Sequence, residues 1–153
     1  MTVPESGAVY QGGDAILLSD PGIAFVIPEG LYGAGDSSYF DIGHEEWMGL
    51  VSIYGTDASR SELEPALAST LEMAEGEYWV PSGEAQSYED ATVVDYLIEG
   101  STDGVTHATI TAIYGETGIT AVLIGLGVES TIEDVMAVSD SVASTTAFTT
   151  PAG

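Results

Sequence analysis

Residues 92–126 read TVVDYLIEGSTDGVTHATITAIYGETGITAVLIGL, and this stretch decides the fold. It contains three runs rich in β-branched and other apolar residues, at 92–99, 106–114 and 119–126. The connections between the runs are short, polar and rich in glycine, so they have no room for the helical crossovers that parallel strands need. The pattern therefore predicts a three-stranded antiparallel meander.

Extended segments are also predicted upstream of the meander, at 7–18, 23–27, 39–42, 47–54, 78–81 and 85–88. The first of these holds two short apolar pieces and predicts either a hairpin or a pair of edge strands. Pro28 and Gly30 turn the chain after the second segment. Pro81 cannot donate a hydrogen bond to a β-ladder, so it predicts that the strand at 78–81 lies at a sheet edge.

Two segments have helical periodicity. Ser59 and Glu62 have the spacing of a capping box, and apolar residues recur at helical intervals from there to Gly76. A second box at 130–133 opens a helix with one packed face, formed by Ile132, Val135, Met136, Ser139, Val142 and Ala143. The predicted fold class is therefore α+β: an antiparallel sheet with a C-terminal meander and two main helices.

Length and composition favour one domain over residues 1–153. A chain of 153 residues with 44% hydrophobic residues can build one core. We assign 1–19 to N-terminal strands or a hairpin, and 149–153, which follow a stretch rich in Ser, Thr and Ala, to a flexible tail. The chain has no cysteine, which excludes disulfides, zinc–thiolate sites and thiol catalysis.

The charge balance is extreme, because 25 acidic residues face a single basic one, Arg60, for a formal net charge of −24. A surface of this sign repels nucleic acid and anionic lipid, so we expect no nucleic-acid partner. The same charge destabilises a compact chain in dilute buffer, whereas at about 1 M salt the Debye length is only about 3 Å. The composition therefore predicts adaptation to a saline setting.

The location of the protein follows from the same considerations. The sequence shows neither the basic n-region nor the apolar h-region of a signal peptide, and its longest apolar stretch is too short to span a bilayer. We expect no membrane span. The expected location is extracellular, periplasmic or lipoprotein-anchored with the leader removed, or alternatively the cytoplasm of a halophile.

The order of the predicted elements resembles that of the PsbP-like superfamily, which includes PsbP, the Ran-binding Mog-type proteins and uncharacterised bacterial members. The resemblance covers roughly 20–148 and includes a strand closed by IPEG at 27–30 and a last helix ending near SVAS at 141–144. The resemblance implies that the antiparallel sheet is covered by the two main helices, in an α/β/α sandwich. It also implies an accessory or binding role rather than an enzymatic one. The extreme acidity departs from what a Ran-binding or thylakoid member would show.

A cluster of candidate metal ligands lies between 36 and 46. His44, Glu45 and Glu46 combine an imidazole with two carboxylates, and Asp36 and Asp41 add two more. Imidazole binds zinc or nickel, and carboxylate oxygens bind calcium in irregular loops. The alternative interpretation is a solvated loop with a surface histidine, since no EF-hand spacing is present. The sequence thus predicts no resident cofactor beyond weakly bound Ca²⁺ or another cation.

Three further features bear on function. Asp95 is an acid within an apolar run, and burial would raise its pKa and mark a site.

Tyr78 and Trp79 form a candidate partner surface on the predicted edge strand. Only His44 and His107 could act as the base of a serine hydrolase, and no Gly-x-Ser-x-Gly elbow is present.

We therefore predict a non-enzymatic accessory or binding protein with a highly acidic, salt-adapted surface, acting through a protein partner or self-association. One alternative is a self-assembling surface or filament subunit, which would associate through exposed strand edges and the C-terminal tail. Another is a small hydrolase that uses carboxylates or His44.

Overall fold

β-Strands are the main regular structure of the chain. The structure is a computed structural model that describes residues 1–47 and 49–149, and it contains thirteen strands and two helices in those ranges. The strands are β1 (Tyr10–Gln11), β2 (Ala15–Leu18), β3 (Ile23–Val26), β4 (Tyr32–Gly35), β5 (Tyr39–Gly43), β6 (Leu50–Thr56), β7 (Leu71–Ala74), β8 (Glu77–Pro81), β9 (Gln86–Ser87), β10 (Ala91–Glu99), β11 (His107–Tyr114), β12 (Thr120–Gly127) and β13 (Ala147–Phe148). The helices are α1 (Arg60–Leu67) and α2 (Ile132–Thr145).

The predicted meander is present and lies inside a large antiparallel sheet. β11 pairs with β10 on one side and with β12 on the other, and β12 also pairs with β6. The strand order of the large sheet is β1-β4-β5-β6-β12-β11-β10-β8-β7, and β9 pairs with β10 beside this path. The meander therefore joins the strands from the first half of the chain to those at the other edge.

A second, three-stranded sheet lies against one face of the large sheet, together with α2. Its order is β13-β3-β2. The main core lies between these layers, where Phe25 and Phe40 are almost fully buried and their rings meet edge to face, with centroids 5.5 Å apart. Val135 of α2 and Leu123 of β12 belong to the same core.

The expected α/β/α sandwich is wrong, because neither face is covered by a helical layer. One face carries α2 and the small sheet, and the other carries α1, a helix of 8 residues. The helix predicted from Ser59 to Gly76 ends at Leu67, and Leu71–Ala74 form β7, which pairs with β8. Gly76, at a φ of +82°, makes the turn between these two strands, so the apolar side chains of 71–74 are stabilised in a hairpin rather than on a helix.

Other boundaries differ in detail. The two N-terminal pieces are edge strands of different sheets, because β1 pairs with β4 and β2 pairs with β3. β8 is not an edge strand, since β7 lies outside it, and Pro81 is tolerated as its last residue. Of the predicted tail, Thr149 donates its backbone N–H to the carbonyl of Gly22 (2.8 Å), and 150–153 lie outside the described residues.

The carboxylates are concentrated on the outside. Of the 25 acidic residues, 20 are exposed, and the other five are half-buried: Asp36, Asp41, Glu64, Glu77 and Asp95. Each half-buried acid needs a polar neighbour or an opening to solvent. Across 1–47 and 49–149, neither helix has the length and apolar character required to cross a bilayer.

The placement of α2 opens a gap beside it. A glycine on β12, Gly125, lets the helix approach, because a Cβ there would lie 2.8 Å from Val135 Cγ1 and 2.9 Å from Thr109 Cγ2. The helix packs mainly over β12 and β11 rather than over β10. The same face of β10 is left open beside the helix.

Candidate functional site

A cleft of about 780 Å³ fills this gap, and we call it the α2 cleft. It is larger than the other two depressions that we compare with it, one beside His44 (about 340 Å³) and one under α1 (about 200 Å³). One wall is the face of β10 and β11, with the loop that leads into β10. The other wall is the side of α2. A volume of this size accommodates a small organic molecule.

The sheet wall is polar because of the strand register. Asp95 of β10 and Thr109 of β11 are cross-strand partners and point to the same face, as does Thr111 two residues further along β11. The Thr109 hydroxyl donates to Asp95 Oδ1 at 2.8 Å. Asp95 is therefore half-buried, fixed through one oxygen and directed into the cleft.

The helix wall carries a buried hydroxyl without a partner. Ser139 is only 1% exposed and lines the cleft, and its Oγ has no hydrogen-bond partner among the described residues. Asp140, next in the helix, is exposed and also lines the cleft. An unpaired buried hydroxyl costs about 1–3 kcal/mol, so this wall is better suited to a bound state than to an empty one.

The lining combines carboxylates, hydroxyls and an apolar strip. From the sheet side come Gln86, Tyr88, Asp90, Asp95, Thr109 and Thr111, and from the helix side Ser139, Asp140, Ser144 and Thr146. The apolar residues are Ala91, Val93, Ile113, Met136 and Ala143. No Lys, Arg or His is among the described residues that line it, so the three carboxylates give the α2 cleft a negative potential.

The single arginine holds the loop at the rim of the cleft. The guanidinium of Arg60 donates to the carbonyls of Tyr88 (2.7 Å) and Glu89 (2.9 Å), and its Nε donates to Glu64 (3.1 Å). It also lies 4.9 Å from the ring centroid of Tyr114. Since Tyr88 lines the α2 cleft, Arg60 positions the rim from the opposite face of the sheet.

Glu64 completes this network. The hydroxyl of Thr92 donates to its carboxylate at 2.7 Å. This hydrogen bond holds the pKa of Glu64 below its ordinary value against the opposing effect of desolvation, and Arg60 adds to the lowering. The carboxylate is therefore charged at neutral pH and keeps Arg60 in place.

Replacing Arg60 with lysine tests this positioning role. We expect Arg60→Lys to destabilise the protein by roughly 1–3 kcal/mol, because an ammonium cannot reproduce the fork that binds two carbonyls and one carboxylate. The substitution keeps the net charge, so the loss cannot come from added repulsion. Urea unfolding at fixed salt gives the free energy, and hydrogen exchange of the Tyr88 N–H, which donates to the Ala91 carbonyl, reports the loop itself. A stability within about 0.5 kcal/mol of the parent would contradict the role.

The predicted metal ligands are spread along β5. Asp36 lies in the turn before this strand, where its Oδ1 accepts the N–H of Ser38 at 2.8 Å. His44 and Glu46 follow the strand at its other end. Four residue steps separate the ends of β5, or about 13 Å at the usual rise of a strand. Asp36 therefore lies far from the loop that contains His44.

A smaller part of that set shares one depression. Asp41, His44 and Glu45 line the cavity of about 340 Å³. Asp41 Oδ1 accepts the hydroxyl of Ser52 at 2.5 Å, and His44 Nδ1 accepts the N–H of Glu46 at 3.1 Å. No group of three or more His, Asp or Glu residues in the described part of the chain is arranged to hold a metal ion. Cation binding by this set stays a prediction.

The remaining candidates are the predicted partner surface, Tyr78 and Trp79, and the two histidines. The structure does not bring either pair together in one site. Tyr78 is 40% exposed, whereas Trp79 is 5% exposed and packs with Tyr96 in the core under α1. The ring of His107 forms a hydrogen bond with the Thr106 hydroxyl (2.7 Å). Neither histidine lines the α2 cleft, so no serine–histidine pair is present there.

The sequence indicated part of this site. Asp95 stands out as an acid in an apolar run, and Ser139 as a hydroxyl on an otherwise apolar helix face. Asp140 and Thr111 give no such signal, because one is an ordinary exposed acid and the other an ordinary strand threonine. Only the position of α2 relative to β10 brings the four together.

The architecture is a PsbP-like fold, so the predicted resemblance is confirmed. The solution structure of cyanobacterial PsbP (CyanoP) from Synechocystis sp. PCC 6803 matches with a TM-score of 0.60 over 93% of this chain and 92% of that chain, at 15% sequence identity. At that identity the likeness establishes the fold alone. No protein-family model and no curated protein sequence matches the chain.

Proposed function

We propose that this protein is a non-enzymatic accessory or binding protein that holds a small molecule in the α2 cleft. The observation that carries the proposal is the unpartnered hydroxyl of Ser139, almost fully buried in the wall of a cavity of about 780 Å³. Buried polar groups in folded proteins are nearly always paired, with protein, water or a ligand. A ligand in the cleft would supply the missing partner.

The composition of the cleft favours binding over catalysis. Its carboxylates and hydroxyls have no histidine or lysine beside them in the described part of the chain, so no imidazole or amine is placed to activate a hydroxyl as a nucleophile. The PsbP-like fold is in keeping with an accessory role, by analogy of fold. Carboxylate-dependent hydrolysis is the competing function, and the binding experiment below also detects it.

Self-assembly through strand addition is less well supported. The edge strands of the large sheet are β1, with 2 residues, and β7, with 4. Such short edges offer few backbone groups to a neighbouring chain. The tail proposed for association, beyond Thr149, lies outside the described residues.

We also propose that the protein works in a saline medium, either outside the cell or in the cytoplasm of a halophile. The 20 exposed carboxylates support this, because high salt screens their repulsion. With one arginine in the chain, compensation by basic side chains is almost absent.

Binding is tested by NMR with a panel of probes: spermidine, 1,8-octanediol, trehalose and adenosine monophosphate. We expect at least one probe to shift the methyl signals of Met136 and Val93 in a saturable manner. Ser144→Trp should abolish these shifts, because Ser144 lies at the exposed side of the cleft and an indole there would block it. Ser141→Trp is the matched control, since Ser141 is an exposed serine of the same helix that does not line the cleft.

The outcomes separate the candidate functions. Saturable shifts that disappear only in Ser144→Trp, with the probe recovered unchanged, support a binding protein. Conversion of a probe into products would favour the hydrolase. If no probe shifts the cleft signals, or if both tryptophan variants behave alike, the α2 cleft is not a binding site and the proposal is overturned.

A further inference from the structure

We infer that the ligand of the α2 cleft is an aliphatic polyamine, a chain of methylene groups that carries two or more ammonium groups. This inference rests on the proposed binding function and specifies its chemistry. It follows from three properties of the cleft: separated carboxylates, a buried hydroxyl without a partner and an apolar strip.

The carboxylates come from different elements. Asp90 precedes β10, Asp95 lies within β10, and Asp140 lies on α2. Five residue steps separate Asp90 from Asp95, or about 17 Å along an extended chain. No three acids or histidines in the described residues are arranged around a common point as a metal ion requires. Separated negative charges fit a ligand whose positive charges are also separated.

The hydroxyls provide evidence independent of the acids. Ser139 is 1% exposed and its hydroxyl makes no hydrogen bond with another described residue, and Thr111, which is 4% exposed, lines the same cleft. Each oxygen can accept an N–H from an ammonium group that passes along the cleft. Such charge-assisted hydrogen bonds are shorter and stronger than those between neutral groups.

The apolar strip accounts for the rest of the ligand. Val93, Ile113 and Met136 line the same cavity and offer a surface for methylene segments. The thioether of Met136 adapts to irregular aliphatic shapes. A hydrated metal ion gains nothing from such a surface, and an anion is repelled by the three carboxylates.

Spermidine titration in about 1 M NaCl tests the inference, because at that salt the diffuse attraction of a polycation to an acidic surface is screened within about 3 Å. The methyl signals of Met136 and Val93 report binding. Asp140→Asn should weaken binding about tenfold or more, as expected for a lost charged hydrogen bond. Asp134→Asn is the matched control: it removes one exposed acid from the same helix, away from the cleft, and should change the affinity less than twofold.

Ser139→Ala separates the hydroxyl from the charges. It leaves the net charge unchanged, and we expect it to weaken spermidine binding severalfold, by the loss of one hydrogen bond to a charged group. Mg²⁺ at the same concentration should not displace spermidine. If Asp134→Asn weakens binding as much as Asp140→Asn, or if Ser139→Ala has no effect, the polyamine assignment is wrong.

Failure of this inference is distinguishable from failure of the proposed function. If 1,8-octanediol or trehalose saturates the cleft signals and Ser144→Trp blocks it while spermidine has no site-specific effect, the cleft binds a neutral ligand. The binding function then stands and the polyamine does not. If no probe responds to Ser144→Trp, both are overturned.

Discussion

The melting temperature should rise by roughly 10 °C when NaCl is raised from about 0.01 M to about 1 M at pH 7, because the Debye length falls from about 30 Å to about 3 Å over this range. The net charge is −24, and 20 carboxylates are exposed around one small body. Folding brings these charges closer together than they are in the unfolded chain, so their repulsion lowers the free energy of unfolding. Screening removes that cost mainly from the folded state.

Calorimetry or circular dichroism across the salt series measures the effect. Sucrose at matched osmolality is the control, because it stabilises by exclusion from the protein surface without screening charge. Most of the rise should occur at the lower salt concentrations, where the screening length changes most. A melting temperature that does not change with NaCl, or that follows sucrose equally well, would show that carboxylate repulsion does not limit stability.

The meander could be predicted because its determinants are local. Each connection between β10, β11 and β12 is short and contains glycine, and the neighbouring strands are next to one another in sequence. The partner of β12 on its other side is β6, where Val122 pairs with Tyr54. Nothing local specifies a pair so distant in sequence, so the order of the large sheet was not predictable.

The first helix shows where periodicity misleads. Leu63, Leu67 and Leu71 fit a helical pattern, but Leu71 pairs with Trp79 in a hairpin. Short apolar segments fit both periods, and the turn at Gly76 together with the pairing to β8 decides between them. With α1 reduced to 8 residues, the helical layer that the resemblance implied on that face is not formed.

Part of the candidate site could be predicted from the sequence, because two of its residues lie on faces that local periodicity defines. The face of Asp95 follows from strand alternation, and the face of Ser139 follows from helical periodicity. The α2 cleft depends on a tertiary fact, the position of α2 over β12 and β11 with β10 left open. A single sequence carries no local signal for that offset.

Replacing Tyr96 with phenylalanine should have opposite effects at neutral and at alkaline pH. Tyr96 is 1% exposed, and its hydroxyl donates to the carbonyl of Leu67, the last residue of α1. At pH 7, Tyr96→Phe leaves that carbonyl without this donor, and we expect a loss of roughly 1–3 kcal/mol of stability. Urea unfolding at about 1 M NaCl measures it with the surface repulsion screened.

At alkaline pH the Tyr96 phenol lowers the stability of the folded protein. Burial raises the pKa of Tyr96 above its ordinary value, and the neighbouring charge of Asp95 raises it further. The folded state therefore favours the neutral phenol, whereas the unfolded chain ionises near pH 10. The stability contributed by this group is fully present below pH 10 and is lost as the pH rises above it, through the raised folded pKa.

The parent protein should therefore lose stability more steeply above pH 10 than Tyr96→Phe, and the difference between the two should shrink or reverse. Tyr88→Phe is the control for removing a tyrosine hydroxyl from the surface, because Tyr88 is 52% exposed. Equal slopes for the parent and Tyr96→Phe would mean that the phenol ionises as readily in the folded protein as in the unfolded chain. In that case the ionisation of the Tyr96 phenol would not be coupled to folding.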